Sequence, residues 1–163
     1  MVGTSGGQKR GLKTGQGHCP SLYGDCSTER GRCACHPPRT PLGSDRLDDA
    51  ELAANECLQV NEQSGNREGI AGALHSIGRI ELERGRYLEA SDPILAAHEI
   101  YNEIGLRLGR AGTLADLALA RSRLGDRAGA EDAISQAKTI ADGIAHSRLE
   151  LEIREAEREV LGR

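Results

Sequence analysis

Residues 74–97 read LHSIGRIELERGRYLEASDPILAA, and residues 114–137 read LADLALARSRLGDRAGAEDAISQA. The two stretches align without a gap at a spacing of 40 residues, which places Gly85 on Gly125 and Ala90 on Ala130. Small residues meet small ones and branched residues meet branched ones at Leu74 and Leu114, Ile77 and Leu117, Ile94 and Ile134, and Ala97 and Ala137. Self-similarity at a fixed period is typical of repeat architectures, so the sequence predicts a repeat protein.

Each period contains two apolar stripes at the spacing of an amphipathic helix. The first stripe runs through residues 67–84 and the second through residues 87–104. The next period repeats them over residues 107–124 and 127–143. Glycine just past a helix commonly ends it, and this function is expected of Gly85, Gly105 and Gly125. The pattern therefore predicts an all-α protein, an α-solenoid of antiparallel helix pairs.

The N-terminal end of this array is incomplete. Residues 45–64 match only the second helix of a repeat, with Ser44 or Asp45 as its cap. The face that a first helix should cover would expose Leu52 and Val60. Cys57 either joins that face or fills the small buried position that alanine holds in the other repeats. Because an exposed apolar face invites pairing, self-association through residues 45–64 is one expectation.

The C-terminal end is expected to be a polar capping helix, which a repeat stack needs for solubility. Ser147 and Glu150 have the spacing of a capping box. One side of the helix carries Leu149, Ile153 and Val160. The other side carries charged pairs one turn apart, Arg148 with Glu152 and Glu150 with Arg154.

The first 44 residues differ in composition from the rest. They are rich in Gly, Pro and Ser, show no apolar periodicity, and are expected to be disordered. The predicted organisation is a tail (1–44) and a helical domain (45–163) made of a half repeat (45–65), two repeats (66–105 and 106–145) and a capping helix (146–161). The tail also holds Cys19, Cys26, Cys33 and Cys35 with His18 and His36. The familiar Cys-x-x-Cys spacing of zinc sites is missing, so a metal- or redox-responsive protein is only an alternative.

Charge and hydropathy argue against two classes of partner. The tail holds six Lys or Arg against two Asp or Glu, so its charge is +4, and the remainder carries −8 of the total of −4. A domain that acidic is a poor ligand for nucleic acid. No window approaches the roughly 18 consecutive apolar residues of a membrane helix. The tail also lacks the apolar core of a secretory signal, so we expect a cytoplasmic protein without a membrane partner.

The spacing of small residues resembles that of tetratricopeptide repeats. The pattern is Leu74-x-x-Ile77-Gly78 followed by Gly85, Ala90, Ile94 and Ala97, and it recurs from Leu114 to Ala137. The resemblance covers residues 45–145 and departs from the family in its aromatic positions and in its period, which is 40 rather than about 34. Long units are similar to those of bacterial signalling ATPases and transcription activators. HEAT-like repeats, whose period is about 40–47, are the alternative fold.

The resemblance implies a protein that binds a protein or peptide ligand and regulates it, or a fragment of such a regulator. First helices line the inner groove in that family. The matching side chains here are His75, Arg79, Leu82, Glu83, Ala115, Leu119, Ser122 and Arg123. Arginine binds carboxylates in a fork, so an acidic ligand is expected. No nucleophile, base or phosphate-binding loop has readable spacing, so neither an enzyme nor a cofactor is expected.

Pro93 conflicts with the second helix of the first repeat. A proline inside a helix removes a hydrogen bond and costs about 3 kcal/mol. The alternatives are a helix that kinks at Pro93, or a late start capped by Asp92 with residues 86–91 as a loop.

Overall fold

The computed structural model of the chain describes residues 44–162. These residues form six α-helices and contain no strand. The helices are α1 (Ser44–Ser64), α2 (Arg67–Glu83), α3 (Tyr87–Glu103), α4 (Arg107–Arg123), α5 (Arg127–Ala141) and α6 (Ser147–Leu161). Each helix packs on the next one, and α6 packs on both α4 and α5. The described part of the chain is therefore an all-α solenoid of helix pairs, as the sequence predicts. The expected tail, apart from Ser44, lies outside the described residues.

Glycines end the helices where the sequence predicts. Gly85, Gly105 and Gly125 have φ of 74°, 72° and 86°, a left-handed conformation that side chains disfavour. At the first of these turns the Gly85 N–H donates to the Leu82 carbonyl and the Arg86 N–H to the Glu81 carbonyl, both at 2.9 Å. These bonds satisfy carbonyls at the end of α2 and reverse the chain within three residues. Consecutive helices consequently pack side by side.

Small residues line the contacts between the helices. Ala90, Ala97, Ala130 and Ala137 are all 0% exposed, so the small residues of the repeat pattern lie at the closest approaches. Gly78 shows how close the approach is, because a Cβ there would overlap Cγ1 of Ile94 and lie 3.2 Å from the Ala90 carbonyl oxygen. The repeat pattern thus reports helix packing distance as well as helical periodicity.

Pro93 lies inside a continuous helix. α3 runs from Tyr87 to Glu103, so residues 87–91 are helical and the alternative of a late start at Asp92 is wrong. The surrounding contacts hold the helix together, since Ala90, Ile94 and Ala97 on either side of Pro93 are fully buried.

The predictions made for residues 45–64 are confirmed in part. Leu52 and Val60 are exposed, 65% and 50% respectively, as predicted for a face without a covering helix. Cys57 is 3% exposed, which confirms the buried alternative for it. Cys57 is also disulfide-bonded.

The last helix is capped differently from the prediction. The N-cap is His146 rather than Ser147, and His146 Nδ1 accepts a hydrogen bond from the Leu149 N–H at 3.1 Å. An imidazole nitrogen has supplied the acceptor that the sequence assigned to a serine hydroxyl. The helix begins at Ser147 as a result, and the predicted pair of Arg148 with Glu152 forms at 3.2 Å.

Candidate recognition surface beneath α6

The eight residues predicted to line a groove do not share one open surface. His75, Arg79, Leu82 and Ala115 are buried, with at most 9% exposure. Leu119 and Ser122 are half-buried, and only Glu83 and Arg123 are exposed. α2 and α4 are therefore central helices whose expected groove face is covered over much of its length. Binding through these eight residues stays a prediction, and in this structure half of them are inaccessible.

A buried charge network lies where His75 and Arg79 were expected to line an open groove. Asp116 Oδ2 lies 2.8 Å from His75 Nε2 and 3.7 Å from Arg79 Nε. All three side chains are between 2% and 4% exposed. A buried charge is tolerated only when it is paired, so Asp116 is the counter-ion that allows Arg79 to lie between α2 and α4. Sequence reasoning missed Asp116, because its repeat equivalent is the uncharged Ser76.

The second partner of Arg79 comes from α6. Arg79 Nη1 lies 3.4 Å from Glu152 Oε1, although α3, α4 and α5 lie between the two helices along the chain. α6 thus covers the predicted groove and neutralises one of its arginines.

Two further ion pairs repeat this arrangement. Arg123 Nη2, at the end of α4, lies 2.7 Å from Glu159 Oε1. Lys138 Nζ, on α5, lies 2.8 Å from Glu157 Oε1. Each of the three helices beneath α6 therefore presents one cation to one α6 carboxylate.

Apolar contacts fill the space between these ion pairs. Four α6 side chains, Leu149, Ile153, Ala156 and Val160, are at most 6% exposed. They belong to one buried cluster with α4 and α5, which includes Leu114, Ala115, Ala118, Ile134 and Ala137. We call the area formed by these five residues with Arg79, Arg123 and Lys138 the α6-docking surface. It is an apolar strip with cations around it.

A smaller part of the predicted groove remains accessible beside this surface. The Arg123 guanidinium carbon lies 5.9 Å from the ring centroid of Tyr87, within the range of a cation–π contact. Leu119 and Tyr87 are partly buried and pack against the cluster that contains Leu82. The accessible part therefore combines one exposed arginine with apolar and aromatic side chains.

Two aromatic groups, the buried Tyr101 and the half-buried His98, have perturbed pKa values. Burial raises the pKa of Tyr101 to about 12, and the charge of Glu68 adds to the effect. Burial lowers the pKa of His98, and the positive charge of Arg110 lowers it further. His98 Nδ1 lies 2.9 Å from Thr113 Oγ1, which ties α3 to α4. Both groups are kept neutral near pH 7, and their contacts are structural.

A second charged cluster joins α1 to the rest of the molecule. Arg84 pairs with Asp48, with Glu51 at 2.7 Å and with Glu81 at 3.0 Å. Burial lowers the pKa of Arg84, but these carboxylates outweigh it, and the pKa rises above its ordinary value. The arginine bridges α1 and α2, which leaves its charge fully compensated.

The described residues offer little to a metal ion or a membrane. Within residues 44–162 no three His, Cys, Asp or Glu side chains are grouped to hold a metal. The cysteines of the metal- or redox-responsive alternative, Cys19, Cys26, Cys33 and Cys35, and the two histidines beside them lie outside that range. None of the six described helices is both long and apolar enough to cross a bilayer.

Comparisons with models of protein families, with curated proteins and with solved structures found no match for this chain.

Proposed function

We propose that the chain is a non-enzymatic protein–protein interaction module of the tetratricopeptide type, an adaptor or regulatory protein that binds an acidic protein or peptide segment. The repeat architecture supports the proposal, since helix pairs of this kind present extended binding surfaces. One observation carries it. Arg79 and Arg123, the two arginines predicted to bind a ligand, each hold a carboxylate of a neighbouring helix in the structure.

The accessible end of the groove supports the same function. Arg123 is 47% exposed over its side chain and lies against Tyr87. Arginine and tyrosine are both enriched where binding energy concentrates in protein interfaces. An acidic ligand would meet Arg123 first, because Arg79 is covered.

The proposal can be tested by affinity capture from a lysate of the source organism, with the full chain as bait. Arg123→Glu is the test variant, and Arg79→Glu with Arg123→Glu is the stronger form predicted from the sequence. Arg127→Glu is the matched control, since Arg127 is exposed and its ion pair is with Glu131 one turn away on α5. Circular dichroism checks that each variant is folded.

We expect a partner that is retained by the wild type and by Arg127→Glu and lost with Arg123→Glu. A set of captured proteins that is identical for all the baits would contradict the assignment of the groove.

Self-association through α1 is a second candidate. The observation that favours it is the exposure of Leu52 and Val60 on one face of α1. Light scattering of the full chain and of Val60→Glu tests it. A dimer that becomes a monomer in the variant is expected, and a wild-type monomer at millimolar concentration would refute it.

A further inference from the structure

We propose that the α6-docking surface is the binding site for an acidic amphipathic helix of a partner protein, and that α6 is its intramolecular occupant. This inference rests on the proposed function and specifies its ligand. The site would not be an open groove. It would become available when α6 leaves it, and the ligand would be a helix that resembles α6 in pattern.

Charge complementarity is the first argument. The cations Arg79, Arg123 and Lys138 come from three different helices, and each contacts a carboxylate of α6. Among the described helices, α6 packs backbone to backbone only on α4 and α5, so Glu152 reaches Arg79 through its side chain alone. A surface that places three separate cations opposite one helix selects an acidic helix and orients it.

The spacing of buried residues is the second argument. Leu149, Ile153, Ala156 and Val160 follow one another at intervals of four, three and four residues. This is the pattern by which an amphipathic helix binds in a groove of another protein. Ala156 is 0% exposed, so the third anchor of a ligand must be small. Carboxylates would be required three, eight and ten residues after the first anchor, as at Glu152, Glu157 and Glu159.

The attachment of α6 differs from that of the other helices. Connections of two or three residues join α1 to α5 in succession, whereas α5 and α6 are joined by the five residues 142–146. Gly143 in this connection has φ of 75°, and the segment is largely exposed. Two of the three ion pairs of α6 are also solvent-exposed, and exposed ion pairs contribute little stability.

Competition between α6 and a ligand has a calculable consequence. If α6 is undocked in a fraction f of molecules, the apparent dissociation constant of a ligand helix is the intrinsic constant divided by f. A fraction of about 1% would weaken binding about 100-fold. Loss of the Glu152 and Glu159 carboxylates raises f without altering the surface itself.

The test uses a fluorescent peptide with the sequence of residues 144–163 as the probe and the full chain as the receptor. The receptor variant carries Glu152→Gln and Glu159→Gln. The matched control receptor carries Glu131→Gln and Asp132→Asn, which change the net charge equally and are exposed on α5. A second peptide, in which glutamine replaces Glu152 and Glu159, controls for the charge of the probe. Fluorescence anisotropy gives the affinities, and circular dichroism reports the helix content of each receptor.

We expect the receptor variant to bind the probe at least ten-fold more tightly than the wild type and the control receptor do. The amide peptide should bind the variant at least ten-fold more weakly than the probe does. If the double variant loses its fold, Glu159→Gln alone, which affects only the half-exposed Arg123, should still tighten binding several-fold.

Equal affinities for all receptors, or no binding to any folded receptor, would overturn the inference. A receptor variant that becomes a dimer would overturn it in favour of α6 exchange between two copies. Neither result bears on the proposed function. That function is contradicted only if the wild type and Arg123→Glu capture the same partners.

Discussion

Gly78 in α2 and Gly112 in α4 have different surroundings. A Cβ at Gly78 would overlap Ile94, whereas a Cβ at Gly112 meets only His75 Cε1 at an ordinary 3.5 Å. The first glycine is thus required by packing and the second is not. Glycine otherwise disfavours the interior of a helix by about 1 kcal/mol relative to alanine.

Opposite effects are therefore expected from two identical substitutions. Gly78→Ala should lower the free energy of unfolding by about 1–3 kcal/mol, the usual cost of overpacking. Gly112→Ala should leave it unchanged or raise it by up to about 1 kcal/mol. Urea denaturation of both variants measures the difference. A Gly78→Ala variant that is as stable as the wild type would mean that Ile94 does not set the distance between α2 and α3.

Asp116 is the residue on which the buried network depends. Removal of one member of a buried ion pair leaves the other charge uncompensated, which typically costs about 3–5 kcal/mol. Asp116→Ala should therefore destabilise the protein by about this amount, since His75 and Arg79 stay buried. Asp132→Ala, on the exposed face of α5, is the matched control and should be nearly neutral. A neutral Asp116→Ala would show that Arg79 can turn to solvent.

His98 should make stability depend on pH. Burial and then Arg110 lower its pKa below the unfolded value of 6.5. In the interval below 6.5 the unfolded state binds a proton that the folded state refuses, so stability falls as the pH decreases. The contribution is fully present above that value. Urea denaturation between pH 7.5 and pH 5.5 should show a smaller loss for His98→Gln than for the wild type. An unchanged loss would assign the effect to other groups.

At the scale of helices, most of the described fold follows from the sequence. Glycine stops, apolar stripes and small residues act locally, and the ends of α2, α3 and α4 agree with the prediction to one residue. The errors come from interactions that are not local. The cap of α6 is His146, a residue type that the capping rules do not favour, and Pro93 is tolerated because its neighbours are buried.

Pro93 should lower the stability of α3 without providing a contact that the helix requires. Pro93→Ala restores a donor for the Glu89 carbonyl and removes a steric conflict with it. We expect the melting temperature to rise, with a gain of roughly 1–3 kcal/mol. The converse variant Ala53→Pro, at the equivalent position of α1, should lower it. A decrease for Pro93→Ala would indicate that the proline is needed to shape the helix.

At the scale of the whole molecule, the candidate site was only half predictable. The sequence identified Arg79 and Arg123 as carboxylate-binding residues, because first helices and arginine chemistry can be read locally. It did not identify α6 as the helix that supplies the carboxylates. That outcome depends on the packing of α6 across α4 toward α2, which no local sequence pattern specifies. The sequence did contain one relevant signal, because residues 147–161 are rich in glutamate and the predicted groove contains arginines.

Binding of a ligand helix in place of α6 requires α6 to leave its surface more readily than the rest of the molecule unfolds. Native-state hydrogen exchange of the full chain measures this directly, because it resolves the opening free energy of each helix. We predict that the amides of α6 exchange through an opening of lower free energy than those of α2 and α4. Sodium chloride should lower the protection of α6 further, since its ion pairs with Arg123 and Lys138 are exposed. Amides of α6 and α4 that exchange with one common free energy would contradict the account and make α6 a permanent part of the core.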